Sequence, residues 1–154
     1  MKRITVLSAI ILSIFGIPEA SAFTCFLTLV KNSCWVDYNV NVDVTDASTS
    51  KSILTGTVLK GKLWSRTKFA CEAGQAFNYT ATFSPIIWES DKGKHYPGKS
   101  TWSLPAEIKK GDTAWNITVC YPEEFSEVPY PITNVTKCVC NNQNLPPVPA
   151  PEKP

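Results

Sequence analysis

The residues of this sequence best suited to chemistry are its six cysteines, Cys25, Cys34, Cys71, Cys120, Cys138 and Cys140. The last two stand in "TKCVCNN", separated by one residue. Cysteines ligate metals, turn over redox reactions or form structural disulfides, and spacing separates the three uses. A metal site wants C-x2-C pairs from two places, usually with histidine. Here there is one histidine, His95, and no C-x2-C. A thioredoxin-like site wants C-x-x-C at a helix start, which is also missing. An even cysteine count in an exported domain reads as disulfides. In an extended chain, residues i and i+2 point the same way with Cα atoms about 6.5–7 Å apart, at the edge of disulfide reach. Cys138 and Cys140 should therefore bond to two different upstream cysteines and staple the chain end to the domain. The expected bonds are Cys34–Cys71, Cys120–Cys138 and Cys25–Cys140. Cys25 and Cys34 should not join each other, because "KNS" reads as a tight hairpin turn that puts them at opposite ends of their strands.

Other chemistry is thinly represented. A nucleophilic site needs a histidine oriented by a second group, and His95 sits in the lysine-rich loop "DKGKHYPGK". Paired carboxylates serve glycosidases, but Glu123, Glu124 and Glu127 lie among prolines in "YPEEFSEVPYP", where a solvated loop is the plainer reading. No glycine-rich phosphate loop occurs. The expectation is a protein that is not an enzyme, with no catalytic residue, metal or cofactor.

Aromatic side chains offer binding instead. Trp88, Tyr96 and Trp102 bracket the longest central loop and suit a platform for sugar rings or a peptide. Trp35, Trp64 and Trp115 fall in strand-like runs, where core is expected. Tyr121, Phe125 and Tyr130 punctuate the proline-rich "YPEEFSEVPYP". That stretch cannot be a central strand; it is suited to lie on another protein or to cover a sheet edge. Sequons occur at Asn78, Asn116 and Asn134 and matter only in a glycosylating host.

Compartment comes from the N-terminus. "MKR" is basic, "ITVLSAIILSIFGI" is a fourteen-residue apolar run, and "ASA" supplies small residues. This is the layout of a secretory signal cleaved after Ala22, and no second apolar run long enough to span a bilayer follows. Residues 1–22 are read as signal peptide, 23–140 as the domain and 141–154 as a proline-rich disordered tail with five prolines in its last nine residues. Losing Lys2, Arg3 and Glu19 leaves thirteen basic against twelve acidic residues, a net +1. That gives no electrostatic case for nucleic acid or an anionic membrane.

The elements that would hold these residues are short strands. "DYNVNVDVTD" sets Tyr38, Val40, Val42 and Val44 on one face against polar residues on the other, and "AFNYTATF" does the same with Phe77, Tyr79, Ala81 and Phe83. In "LWSRTKFAC", Trp64, Arg66 and Lys68 alternate with Leu63, Ser65, Thr67 and Phe69. "CFLTLV", "SILTGTVLK", "AWNITVCY" and "ITNVTKCVC" add β-branched runs, with Gly56 suggesting a bulge or bend. Frequent turn signals separate them.

"GDTAWNITVC" resembles the Asp-x-Ala-x-Tyr-x-Cys corner of immunoglobulin domains. Here Cys120 follows Asp112 by eight residues rather than six, and no tyrosine fits. The resemblance implies sandwich architecture and carries over no functional residue. The expected fold is an all-β, antiparallel β-sandwich of immunoglobulin-like architecture, with about seven to nine short strands and disulfide stabilisation. The expected role is a small exported binding or structural module of the cell envelope, such as an accessory subunit of a larger envelope assembly. Its partner would be another envelope protein and its place the periplasm. The alternative is a secreted carbohydrate- or peptide-binding domain.

Overall fold

Val40, Val42 and Val44 are all buried, and their polar neighbours are not; that alternation builds the strand at the centre of one of two sheets. A computed structural model describes residues 22–131 and 138–150; residues 1–21 of the signal-like segment and all of "ITNVTK", with Asn134, lie outside them. Eight strands follow in order: β1 (Phe23–Lys31), β2 (Asn39–Asp46), β3 (Ser52–Val58), β4 (Trp64–Cys71), β5 (Ala76–Ser84), β6 (Tyr96–Pro97), β7 (Trp102–Ser103) and β8 (Trp115–Tyr121). One sheet has the order β4-β1-β8 and the other β3-β2-β5-β6, with β7 also on β5. They face one another as a disulfide-stabilised β-sandwich. Among the described residues, every strand pair is antiparallel except β1 with β8, which run parallel from Cys25 opposite Trp115 to Lys31 opposite Tyr121. No helix among them is long and apolar enough to cross a membrane.

The core lies between the sheets. Leu27 and Leu29 of β1, Ile117 and Val119 of β8, and Phe77, Tyr79 and Ala81 of β5 meet the β2 valines there. Gly56 packs closely against the facing sheet. A Cβ there would sit 2.9 Å from Cδ2 of Leu27. Gly56 pairs in regular register with Val42, and the register shift of this hairpin falls instead between Val44 and Thr45. Glycine at 56 thus answers to inter-sheet packing rather than to the bulge its presence suggests.

"KNS" is not a hairpin turn. Strands β1 and β2 belong to different sheets, and the chain crosses between them through a 3₁₀ turn, Ser33–Trp35. Asn32 starts that turn: its side-chain oxygen accepts from the Cys34 N–H, and its own N–H donates to the Tyr121 carbonyl at 2.8 Å. Trp35 is carried into the core with it and is fully buried.

The disulfides differ from the expected set in every pairing, while the two general expectations hold. The bonds are Cys25–Cys71, Cys34–Cys138 and Cys120–Cys140, leaving no free cysteine. Cys138 and Cys140 do bond to different partners, and Cys25 and Cys34 do not join. Cys25 faces Cys71 because β1 and β4 are antiparallel neighbours and the two residues lie diagonally across the pair. The other bonds follow from the parallel β1–β8 pair, which brings the corner after β1 and the end of β8 to the same edge. The chain end is sewn there: Cys138 to Cys34, the Val139 carbonyl to the Ser33 N–H, and Cys140 to Cys120.

The "YPEEFSEVPYP" stretch covers a sheet edge. After β8 it passes to the other sheet, where the Ser126 N–H donates to the Pro97 carbonyl and the Glu124 carbonyl accepts from the Lys99 N–H, both at 2.8 Å. Phe125 bridges to Gly98 and is buried. Proline suits such an edge, since its missing N–H needs no ladder partner.

Lys31 closes the end of β1. Its buried Nζ donates to the Tyr38 and Leu59 carbonyls. Burial lowers its pKa from 10.5 to about 8, with the Asp37 carboxylate acting in the opposite direction. Between those values the unfolded chain binds the extra proton, so unfolding free energy should rise as pH climbs from about 8 towards 10. Above about pH 10 the slope should reverse. Burial holds Tyr79 and Tyr121 above the ordinary tyrosine range, helped by Glu124 and Tyr96 respectively, so unfolded tyrosines ionise first. Urea unfolding across pH should show a maximum near pH 9–10, and Lys31→Met should remove the rising limb. A flat profile in the unsubstituted protein would contradict this account.

Candidate binding face

Strand β1 is central in its sheet, and both its faces are buried. Phe26, Thr28 and Val30 point away from the core, yet none is exposed. Part of their cover is the long side chains of β4. Arg66 donates from Nε to the Thr28 hydroxyl at 2.8 Å, and that hydroxyl donates to Oδ1 of Asn116 on β8 at 2.7 Å. The guanidinium carbon lies 5.6 Å from the centre of the Trp64 ring. A polar relay thus crosses all three strands on the outer face.

The chain end meets this face. Nη1 of Arg66 donates to the carbonyls of Pro146 and Pro147, at 3.0 Å each. Together Phe26, Trp64, Arg66 and Lys68 on the sheet and the tail prolines enclose a groove of about 530 Å³. The sequence reading treated the tail as having almost nothing to bury. Its apolar content is small, but the carbonyls of Pro146 and Pro147 find a donor in a guanidinium held on the sheet. Trp64 also departs from its expected core position. It is 38% exposed, because the strand face it shares with Arg66 and Lys68 is the outer one.

The aromatic candidates divide by burial. Tyr96 stacks on Phe83 in the core, with ring centres 5.6 Å apart, and Tyr121 and Phe125 are equally buried. These three present no ring to solvent. Trp88 is 64% exposed, and Tyr130, about as open as Trp64, lines a small groove with Phe125. Trp102 is half-buried and lines, with Trp115, Leu104, Asn116 and Ile117, a groove of about 490 Å³. Trp115 lies at that rim instead of in the core, and its Nε1 donates to Asp112 at 3.3 Å.

The remaining clusters hold little chemistry. His95 is exposed in its loop. Glu123 places Oε2 within 2.9 Å of the Cys120 sulfur and 3.7 Å of the Cys140 sulfur, while Oε1 accepts from Asn32. Both sulfurs belong to one disulfide, and a disulfide sulfur lacks the thiolate charge that makes cysteine a ligand or nucleophile. The sequence signal for the main face was present in "WSRTK": an aromatic sharing a strand face with two cations marks the wet side. No protein-family model, curated protein or solved structure matches this chain.

Proposed function

We propose that the chain is a small exported binding module of the cell envelope that holds an extended segment of a protein partner against the outer face of the β4-β1-β8 sheet, as an accessory subunit of a larger assembly. One observation carries this reading: the face already grips an extended segment, through one arginine and two successive backbone carbonyls. Backbone carbonyls are common to any extended peptide, so this is the chemistry of peptide capture. Three disulfides suit an oxidising compartment, and together with the signal-like start they support export, the periplasm being the compartment we propose. The second reading, a carbohydrate- or peptide-binding domain, draws on the Trp102–Trp115 groove, since paired indoles suit sugar rings or apolar side chains.

The test is recovery of partners from the native host with tagged protein and with its Trp64→Ala variant. A defined envelope protein captured by the first and lost by the second is expected. Equal capture by both would remove the β4 face from the account. Glycan binding that depends on Trp102 and Trp115 would establish the second reading.

A further inference from the structure

The tail offers a specific pattern to the β4 face. Proline has no N–H, and polyproline II geometry makes no internal hydrogen bonds, so the carbonyls of such a segment are left for outside donors. That geometry repeats every three residues. Leu145 and Val148, three residues apart, are half-buried, while Pro146, Pro147 and Pro149 are exposed. The two less exposed side chains thus recur at the threefold spacing, while Pro146, Pro147 and Pro149 line the groove.

The receptor side does not depend on the tail for its shape. Arg66 is positioned by the Thr28 hydroxyl through Nε and lies over Trp64, which leaves Nη1 aimed outward. These contacts read two backbone carbonyls and the prolines that line the groove, features of any proline-rich segment. Phe26 and Lys68 line the same groove beside Trp64 and Arg66.

We propose that the Trp64–Arg66 face is a receptor for polyproline II segments, that its external ligand is a proline-rich segment of a partner protein, and that residues 145–149 are a built-in occupant which that ligand displaces. This rests on the reading of the face as a protein-binding surface and adds the ligand class and its regulation. The tail is tethered at Cys140, six residues before Pro146. A short tether gives an effective concentration in the millimolar range, so even a weak internal contact competes well.

The experiment uses the full mature chain with Pro146, Pro147 and Pro149 changed to serine, which keeps length and all disulfides. A synthetic peptide spanning residues 144–150 is titrated by calorimetry into this variant and into the unsubstituted protein. The variant should bind about tenfold more tightly, because the competent face is no longer occupied from within. Adding Trp64→Ala, or Arg66→Lys, which keeps charge but loses the fork, should weaken binding at least about tenfold. Equal affinity for both proteins would overturn the built-in occupant. Absence of peptide binding to either would overturn the polyproline receptor; Trp64-dependent capture of a partner would then still stand, so the two readings fail separately. A concentration-dependent dimer of the unsubstituted protein, lost in the serine variant, would assign the face to a second copy's tail and overturn the external ligand.

Discussion

Replacing Cys34 and Cys138 together by alanine should lower the unfolding free energy by about 4 kcal/mol, the largest loss expected from any one of the three bonds. The bond closes a loop of 104 residues, against 46 for Cys25–Cys71 and 20 for Cys120–Cys140. On the chain-entropy account, stabilisation grows with the logarithm of the loop. The ranking should therefore be Cys34–Cys138, then Cys25–Cys71, then Cys120–Cys140, spread over about 1 kcal/mol or less. The other two bonds already shorten the path between Cys34 and Cys138, which keeps the figure near 4 rather than above it. A domain of this size has about 5–15 kcal/mol in all. The variant should unfold at clearly lower urea, without added reductant. A ranking in which Cys120–Cys140 matters most would mean that local strain or residual structure, rather than loop closure, sets the effect.

Trp35→Ala should cost about 3–5 kcal/mol. The indole is fully buried, and its ring lies 4.8 Å from that of Tyr121, 4.9 Å from Phe83 and 5.1 Å from Tyr38. It therefore contacts both sheets at the point where the chain crosses between them. Neighbours held by strand backbone cannot collapse into the space, so the cavity penalty adds to the lost burial. Trp35→Phe is the informative partner. It keeps an aromatic ring there and removes an indole N–H that has no hydrogen-bond partner among the described residues, so it should cost less than about 1.5 kcal/mol. Equal losses for alanine and phenylalanine would refute ring packing as the source.

These two results concern residues that the sequence treats unequally. The β2 and β5 strands were legible because a half-wet strand writes its period into valines, asparagines and aspartates. The double staple at Cys138 and Cys140 was legible from reach alone. The pairings were not, because they depend on which sheet each strand joins, and "KNS" carries the same turn residues whether it closes a hairpin or crosses a sandwich. The parallel β1–β8 pair leaves no local mark, since both strands read as ordinary β-branched runs. Trp35 was expected in the core and lies there, but a 3₁₀ turn rather than a strand carries it. Tyr96, in a lysine-rich loop, has a ring reached by Phe83 only after β5 is in place. The tail was read by its lack of apolar surface, which misses carbonyls as a means of attachment.

The place of β1 in its sheet governs the order in which the molecule can be assembled. Its neighbours are β4 and the last strand, β8. A chain that emerges N-terminus first must hold β1 with one ladder edge open until nearly all the rest has appeared, and an open edge invites pairing with other chains. The cysteines impose a second delay. Oxidation in order of appearance would join Cys25 to Cys34, whereas the native partner of Cys25 arrives 46 residues later and that of Cys34 arrives 104 later. An early bond must then be undone by thiolate attack before the native ones form. Where oxidation follows that order, a catalyst that reshuffles disulfides should raise the yield of the native protein.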